Sequence, residues 1–384
     1  MSRKRGDTTY TNWGNCSFDI LIKIFQKLPY KDIHTCFKIN QAWQDAVVYY
    51  CNHYRLWKNL VNETIFDCAR SIKERSVLFN PKAIYLNHII WEHIISSAEY
   101  EIAYYDFACK KIHVNKDKLI LVLENSVKVL NPFDFAILKT VNKKVVDYYE
   151  TSHLIVLVDK MNHEEVKVSI SDCNGKQKIE DYLFCENSLL VHNDLCWCMK
   201  SDRTIERINW IDSSFVCKFY NTHSNIGLVV YHNKPYLFTN AGCVYAIVGQ
   251  DYRLESHWSM PGLADSVLCW LDRFTAVYGS KSATQVRQLH DTDVLTFVIP
   301  RLTAATRHGN YLLLGYVDGL LEVHDHADLN QMKMKPKKKM QLDYNEPINA
   351  LEVWQGKQTH IILAAIGDKL AKIRLSYFDQ QYFK

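Results

Sequence analysis

The sequence predicts an α+β multidomain chain: an N-terminal helical module and a helical connector, followed by a divergent seven-bladed β-propeller. Three observations carry this reading. Apolar residues recur at helical spacing between Ile20 and Val47. From about Tyr100 onward, short apolar runs of strand length return at a near-constant interval. The 23 Tyr, 16 Phe and 9 Trp make the chain rich in side chains that pack well on a pleated sheet.

Length and charge set the outer bounds. At 384 residues the chain fits a small module plus one large repeat-built domain. Its 46 Lys and Arg against 42 Asp and Glu give +4, too little to argue for nucleic acid or membrane, so protein contacts are the expected use of its surface. The start, MSRKRGDTTYTNWG, is polar and has no apolar signal region. The 12 cysteines are therefore expected to be reduced, in the cytoplasm and/or nucleus, and to act mainly as small buried hydrophobes without disulfides. The longest apolar runs, such as Ile361 to Ile366, fall far short of the roughly 20 residues that span a bilayer.

After a polar tail over 1–11, the helical module is expected over 12–58. Ile20, Leu21, Ile24, Phe25 and Leu28 share one helical face. Ser17 is placed to cap the first turn, Asp19 complements the positive end of the helix dipole, and Pro29 stops the helix after Leu28. A second helical pattern runs through Ile33, Cys36, Phe37, Trp43 and Val47, interrupted by the polar Asn40. Taken alone, two such helices read as a hairpin that buries its own apolar faces.

The detailed order of residues says more. The stretch WGNCSFDILIKIFQKLPYKDIHTCFKINQAWQDAV resembles the F-box family, in which a Trp precedes a Leu-Pro-x-Glu-Ile-Leu helix start, then Ile-Phe, a Leu, an Asp-Leu pair and a closing Trp. Trp13, Asp19, Ile20, Leu21, Ile24, Phe25, Leu28, Asp32, Ile33 and Trp43 stand at that spacing. The family's Leu-Pro is replaced by Cys16-Ser17 and its Val-Cys pair by Ile39-Asn40. The resemblance, from Asn12 to about Lys58, implies docking on the Skp-type adaptor of a cullin ubiquitin ligase. It carries over Ser17, Ile20, Leu21, Ile24, Phe25, Leu28, Ile33 and Trp43 as adaptor contacts, some of them doubling as internal core.

The connector, 59–98, has no Gly- or Ser-rich stretch. Ile84, Ile90, Trp91, Ile94 and Ile95 form a broad apolar stripe, as expected of a packed helix that holds the two ends of the molecule at a fixed separation.

The propeller is expected over 99–384. Seven apolar runs, each followed by a turn and an alternating segment, place hairpin turns at Asn125, His163, Asp202, Ala241, Lys281, Asp318 and Asp368, which are 38, 39, 39, 40, 37 and 50 residues apart. These spacings approach the roughly 40–45 residues of a four-stranded blade. The long last interval holds MKMKPKKKM and WQGKQT, and the Lys333 to Lys339 run reads as an inserted solvated loop, with a nuclear-import signal as the alternative. The hairpin GYVDGLLEVHD, Gly315 to Asp325, is similar to the end of a WD repeat with His324-Asp325 where Trp-Asp would stand. The other hairpins lack that signature and only 13 Gly occur, so the blades are WD-repeat-like but divergent, and a kelch-like type stays open. The ring could close by pairing its first and last strands or by borrowing a strand from the connector.

No cofactor, metal or catalytic constellation is expected. Cys196-Trp197-Cys198 and His324-Asp325-His326 are isolated pairs on strands, and no phosphate loop, nucleophile elbow or zinc-protease helix is present. Arg203, Arg253, Arg273, Arg287 and Arg307 fall near strands or turns and are the candidates for target binding, since Arg clusters read phosphorylated segments. The resemblance implies a non-catalytic substrate receptor of an SCF-type ubiquitin ligase. Its partners would be the Skp-type adaptor, through it a cullin ligase, and a target protein, phosphorylated or not. An F-box and propeller scaffold for assembly or trafficking is the alternative. A propeller enzyme is the third reading, and it requires a concave site of convergent titratable groups.

Overall fold

The structure, a computed structural model, describes residues 16–36, 38–53, 56–58, 61, 81, 85, 88, 91, 95, 100–115, 117–160, 166–183, 189–192, 195–209, 211, 213–220, 225–231, 234–239, 243–257, 267–272, 275–279, 284–288, 294–297, 302–325, 335–356 and 360–375.

Alternating apolar segments separated by short polar turns can only pair antiparallel with their neighbours. They do so as seven four-stranded sheets among the described residues. Blade 1 is β2 (Cys109–Asn115), β3 (Lys118–Leu123), β4 (Val127–Leu130) and β5 (Ile137–Val141); blade 2 is β6 (Asp147–Glu150), β7 (Leu154–Lys160), β8 (Val166–Asp172) and β9 (Gln177–Leu183). Blade 3 is β10 (Leu189–His192), β11 (Leu195–Met199), β12 (Thr204–Asn209) and β13 (Ser213–Lys218); blade 4 is β14 (Asn225–Tyr231), β15 (Lys234–Thr239), β16 (Cys243–Val248) and β17 (Asp251–His257). Blade 5 is β18 (Val267–Asp272), β19 (Thr275–Gly279), β20 (Thr284–Gln288) and β21 (Val294–Phe297); blade 6 is β22 (Leu302–His308), β23 (Tyr311–Tyr316), β24 (Leu320–Asp325) and β25 (Lys338–Gln341). Blade 7 is β26 (Ile348–Gln355), β27 (His360–Ile366) and β28 (Lys369–Leu375), completed by β1 (Tyr100–Tyr105).

Each of the seven hairpin turns read from the sequence falls between the two middle strands of a blade. The ring closes through β1, which lies antiparallel on β28 with Tyr100 opposite Leu375 and Tyr105 opposite Leu370. Inner strands of neighbouring blades pack on one another, β18 on β22, β22 on β26 and β26 on β2. Because strands alternate in direction, turns between first and second and between third and fourth strands share one rim, here the lower. The middle turns and the blade-to-blade connections share the upper rim.

Burial between blades explains why some runs alternate and others do not. In β7, Leu154, Val156 and Val158 are buried while their neighbours are half-exposed, whereas every residue of β27, HIILAAI, is buried on both faces. In the β23–β24 turn, Gly319 takes φ +76 and a Cβ there would stand 2.2 Å from the Tyr344 carbonyl oxygen, so no other residue fits.

Two expectations about the last interval need correction. The excess length lies between Asp325 and Lys338, not in WQGKQT, whose Trp354 and Gln355 end β26. The Lys run is not wholly a solvated loop: Lys338 and Lys339 belong to β25, where Lys338 lies 5.3 Å over the Tyr100 ring and Lys339 pairs with Glu322 at 2.7 Å. Lys333 lies outside the described residues.

Among the described residues the N-terminal module shows three named helices where the sequence predicted two: α1 (Phe18–Phe25), α2 (Tyr30–Cys36) and α3 (Gln41–His53). Asn40 is not an interruption but the cap of α3, its Oδ1 accepting the Trp43 N–H at 3.0 Å. Pro29 starts α2, its carbonyl accepting the Asp32 and Ile33 N–H groups. Ser17 stands at the N-cap of α1, but its side chain makes no capping bond; its carbonyl takes the Ile20 and Leu21 N–H groups instead. The core is aromatic, with Phe25 ring centroids 5.8 Å from both Trp43 and Tyr50.

The connector's described residues Tyr85, His88, Trp91 and Ile95 are helical and buried. Tyr85 meets Trp57 at 6.1 Å, and Leu56 and Trp57 pack on the module's core. Trp91 and Ile95 enter the core shared by blades 6 and 7. Packed side chains thus meet the module at Tyr85 and the ring at Trp91 and Ile95. Trp13, Phe37, Ile84, Ile90 and Ile94 lie outside the described residues.

Candidate functional site

The eight residues carried over as adaptor contacts split into two groups. Leu21, Phe25, Ile33 and Trp43 are buried inside the three-helix core. Ile24 and Leu28 are half-buried, and Ile20 and Ser17 are exposed, Ile20 by 49%. Three further apolar side chains of the module that periodicity did not single out are exposed as well: Phe18, Val48 and Tyr49, each 42–47% exposed. Phe18 and Tyr49 meet edge to face at 5.1 Å, and Tyr49 stacks on His53 at 5.0 Å. Asp45, Val48, Tyr49, Asn52 and His53 line an open hollow of about 530 Å³ along α3. The missed signal was that Val48 and Tyr49 are apolar yet sit off the face that buries Trp43, Ala46, Val47 and Tyr50. Large exposed apolar clusters on soluble modules mark contact surfaces.

The three arginine candidates whose side chains are described lie on different elements. Arg203 sits in the β11–β12 turn on the upper rim with φ +66, a left-handed conformation uncommon outside glycine. Arg253 is exposed on β17, the outer strand of blade 4. Arg287 lies in β20 of blade 5, described there only in its backbone, and Arg273 lies outside the described residues. Arg307 is buried, its Nε donating to the Gly309 carbonyl at 3.0 Å, so it braces the lower turn of blade 6.

Titratable groups gather instead between blades 1 and 2. Asp147 Oδ2 accepts from Lys111 Nζ at 2.7 Å and from the Tyr149 hydroxyl at 3.0 Å, while its Oδ1 lies 2.6 Å from His113 Nε2. Burial opposes the charge on Asp147, but His113 and Lys111 hold its carboxyl well below the usual carboxylate range. Further down the same seam, Glu150 takes Lys118 at 2.7 Å, Lys139 at 3.0 Å and the Tyr148 hydroxyl at 2.5 Å. Burial raises Glu150 less than these three partners lower it. Every carboxylate oxygen here is satisfied, which is the arrangement of a braced seam.

A second buried group lies within blade 6. Glu322 accepts from Lys339 at 2.7 Å and the Tyr316 hydroxyl at 3.1 Å and meets His324 Nε2 at 3.0 Å. Burial alone would raise the Glu322 carboxyl, but these partners bring it down to about 2. Cys196, Trp197 and Cys198 are all buried wall residues of β11, and burial pushes the Cys198 thiol up to about 12. His326 lies outside the described residues. Among the described residues no three His, Cys, Asp or Glu side chains are placed to hold a metal ion.

No family model and no curated protein matches the chain. Solved structures do. The crystal structure of RRP9 WD40 repeats is 10% identical and aligns with a TM-score of 0.53 over 73% of this chain and 100% of that one. The structure of U3-55K is 9% identical, with a TM-score of 0.52 over 72% of this chain and 98% of that one. The likeness shows the fold: the ring is a WD40-like β-propeller.

Proposed function

We propose that the chain is the substrate receptor of an SCF-type ubiquitin ligase, its N-terminal module docking on a Skp-type adaptor and its propeller holding a target protein. The observation that carries this reading is the set of exposed apolar side chains on the module's helices, Phe18 and Ile20 on α1 and Val48 and Tyr49 on α3, on a module whose sequence matches the F-box spacing. Two ring contacts support a packed connector, Tyr85 against Trp57 on the module's side and Trp91 against His308 on the ring's side. A WD40-like propeller is a protein-interaction platform, and a packed connector would turn binding of a target into a fixed placement. Placement raises the effective concentration of the target at the ligase, and the chain itself makes no bond. Its work is expected in the cytoplasm and/or nucleus, without nucleic acid or membrane.

The test replaces Ile20 and Val48 by Asp in the full chain. Both side chains are about half exposed, so the helical content and melting temperature should hold while adaptor recovery falls at least tenfold, as expected when two interface anchors of about 1 kcal/mol or more each are lost. Undiminished recovery of adaptor with the double variant sinks the adaptor reading. The scaffold alternative separates by target half-life, which should lengthen on adaptor depletion only for a degradation receptor.

A further inference from the structure

Among the described residues, six blades are built from four strands that follow one another in the chain, and blade 7 alone takes its outer strand, β1, from the N-terminal side. That strand pairs with β28 only. The core that receives Ile102 and Tyr104 of β1 also holds Trp91 and Ile95 of the connector, together with Tyr311 and Leu313 of blade 6 and Val353, Ile362 and Ile373 of blade 7. The Tyr104 hydroxyl accepts the Asp343 N–H at 2.8 Å, so β1 also grips the connection between blades 6 and 7. Ile95 and Tyr100 are five chain steps apart, which spans at most about 18 Å. Connector and closing strand therefore share a core and a short covalent link.

The seat of the connector is rich in ring contacts and poor in hydrogen bonds. Trp91 meets His308 at 5.0 Å, Tyr311 at 5.9 Å and His360 at 5.5 Å. Trp91 Nε1, Gln355 Nε2 and both ring nitrogens of His360 are buried there without a hydrogen-bond partner among the described residues. Groups buried in this way oppose docking, because undocking returns them to water, so the seat rests on the apolar contacts that Ile95 and β1 complete. The strand is no more secure by itself: it lies at the sheet edge, with Tyr100, Glu101 and Ala103 exposed. We propose that Trp91, Ile95 and β1 form one latch. The connector leaves the seam between blades 6 and 7 only together with β1 leaving β28, and drawing the module away from the ring opens blade 7 along its outer edge.

Hydrogen exchange on the full chain tests the latch from both ends, with Trp91→Phe loosening the connector and Ile102→Ser loosening the strand. Because coupling is reciprocal, each substitution should speed exchange about tenfold or more both at Trp91 and Ile95 and across 100–105, by the same factor at the two places. Amides of β9, the outer strand of blade 2, should keep the parent rate. Acceleration confined to the segment that carries the substitution overturns the proposal, since connector and strand then open separately. Should either variant fail to fold, the parent chain supplies the reading in urea below its unfolding transition. The amides of Trp91 and Ile95 and those of 100–105 should gain exchange with one common urea dependence, as members of a single opening unit do. Two different dependences overturn the latch.

Discussion

The seam between blades 1 and 2 and the seam between blades 6 and 7 join similar sheets by different chemistry. The first backs a small apolar core, Ile120, Val122, Val127, Val129, Val145 and Tyr148, with two carboxylates that each gather several donors. The second is almost wholly apolar and takes Trp91 and Ile95 from the connector as part of its core. Its polar atoms are the exception: beside Trp91 lie His308, Gln355 and His360, with His308 Nε2 2.8 Å from Gln355 Oε1. A dry seam is strong in neutral solution but tolerates a new charge poorly, whereas a charged seam with every oxygen satisfied absorbs protons late.

The largest effect should come from Trp91→Ala, which empties the place of a side chain only 1% exposed and in ring contact with His308, Tyr311 and His360. We expect a loss of about 3–5 kcal/mol in urea unfolding of the full chain. A loss under about 1 kcal/mol would mean that the connector contributes little to the ring. Asp147→Ala comes next: it strands Lys111 and His113, and because Lys111 is more than a third exposed the cost should be roughly 2–3 kcal/mol, below that of a fully buried pair. Its signature is salt dependence, since the parent seam should weaken with added salt and the variant should not.

Acid sharpens the comparison, and the sign matters. Burial lowers the His360 imidazole from 6.5 to about 3, so the folded chain refuses a proton that the unfolded chain accepts. Stability from the blade 6–7 joint therefore falls as pH drops from about 6.5 toward 3, by up to about 1.4 kcal/mol per unit. Asp147 is depressed from 3.8, so its contribution is complete above that value and is lost only as pH falls further. The apolar joint should loosen first, read as a change in Trp fluorescence between pH 6 and 4 that His360→Phe abolishes. Simultaneous loss of both seams near pH 3.5 would refute the order. The smallest effect belongs to Lys110→Gln: its pair with Glu124 spans 3.6 Å with both side chains over half exposed, and the change should stay within about 0.5 kcal/mol.

The blades were legible because each carries its own signal, a strand-length apolar run and a turn with polar residues at the right distance. Ring closure was not, since β1 reads YEIAYY with only partial burial and its partner lies at the far end of the repeat region. Lys338 and Lys339 looked like loop because composition spoke louder than Met340, whose buried side chain fixes β25 in the blade. In the module, period 3.6 drew a stripe through Ile20, Leu21, Ile24, Phe25 and Leu28, but a third helix decides which side of that stripe is covered. Ile20 and Leu21 are adjacent in sequence, one half exposed and the other 1% exposed. Asn40, read as a break, was the cap that makes the third helix possible.

The pairing of β1 with β28 also sets an order of birth. At ribosomal speeds of about 5–20 residues per second, β1 emerges roughly 15–55 s before the partner some 270 residues downstream exists. The helical module has only local contacts to make and matures within that interval, alongside a ring still missing its last blade. The nascent chain thus presents its apolar helical face before the ring can close, and an early partner on that face would shield it while the unpaired edge of β1 waits.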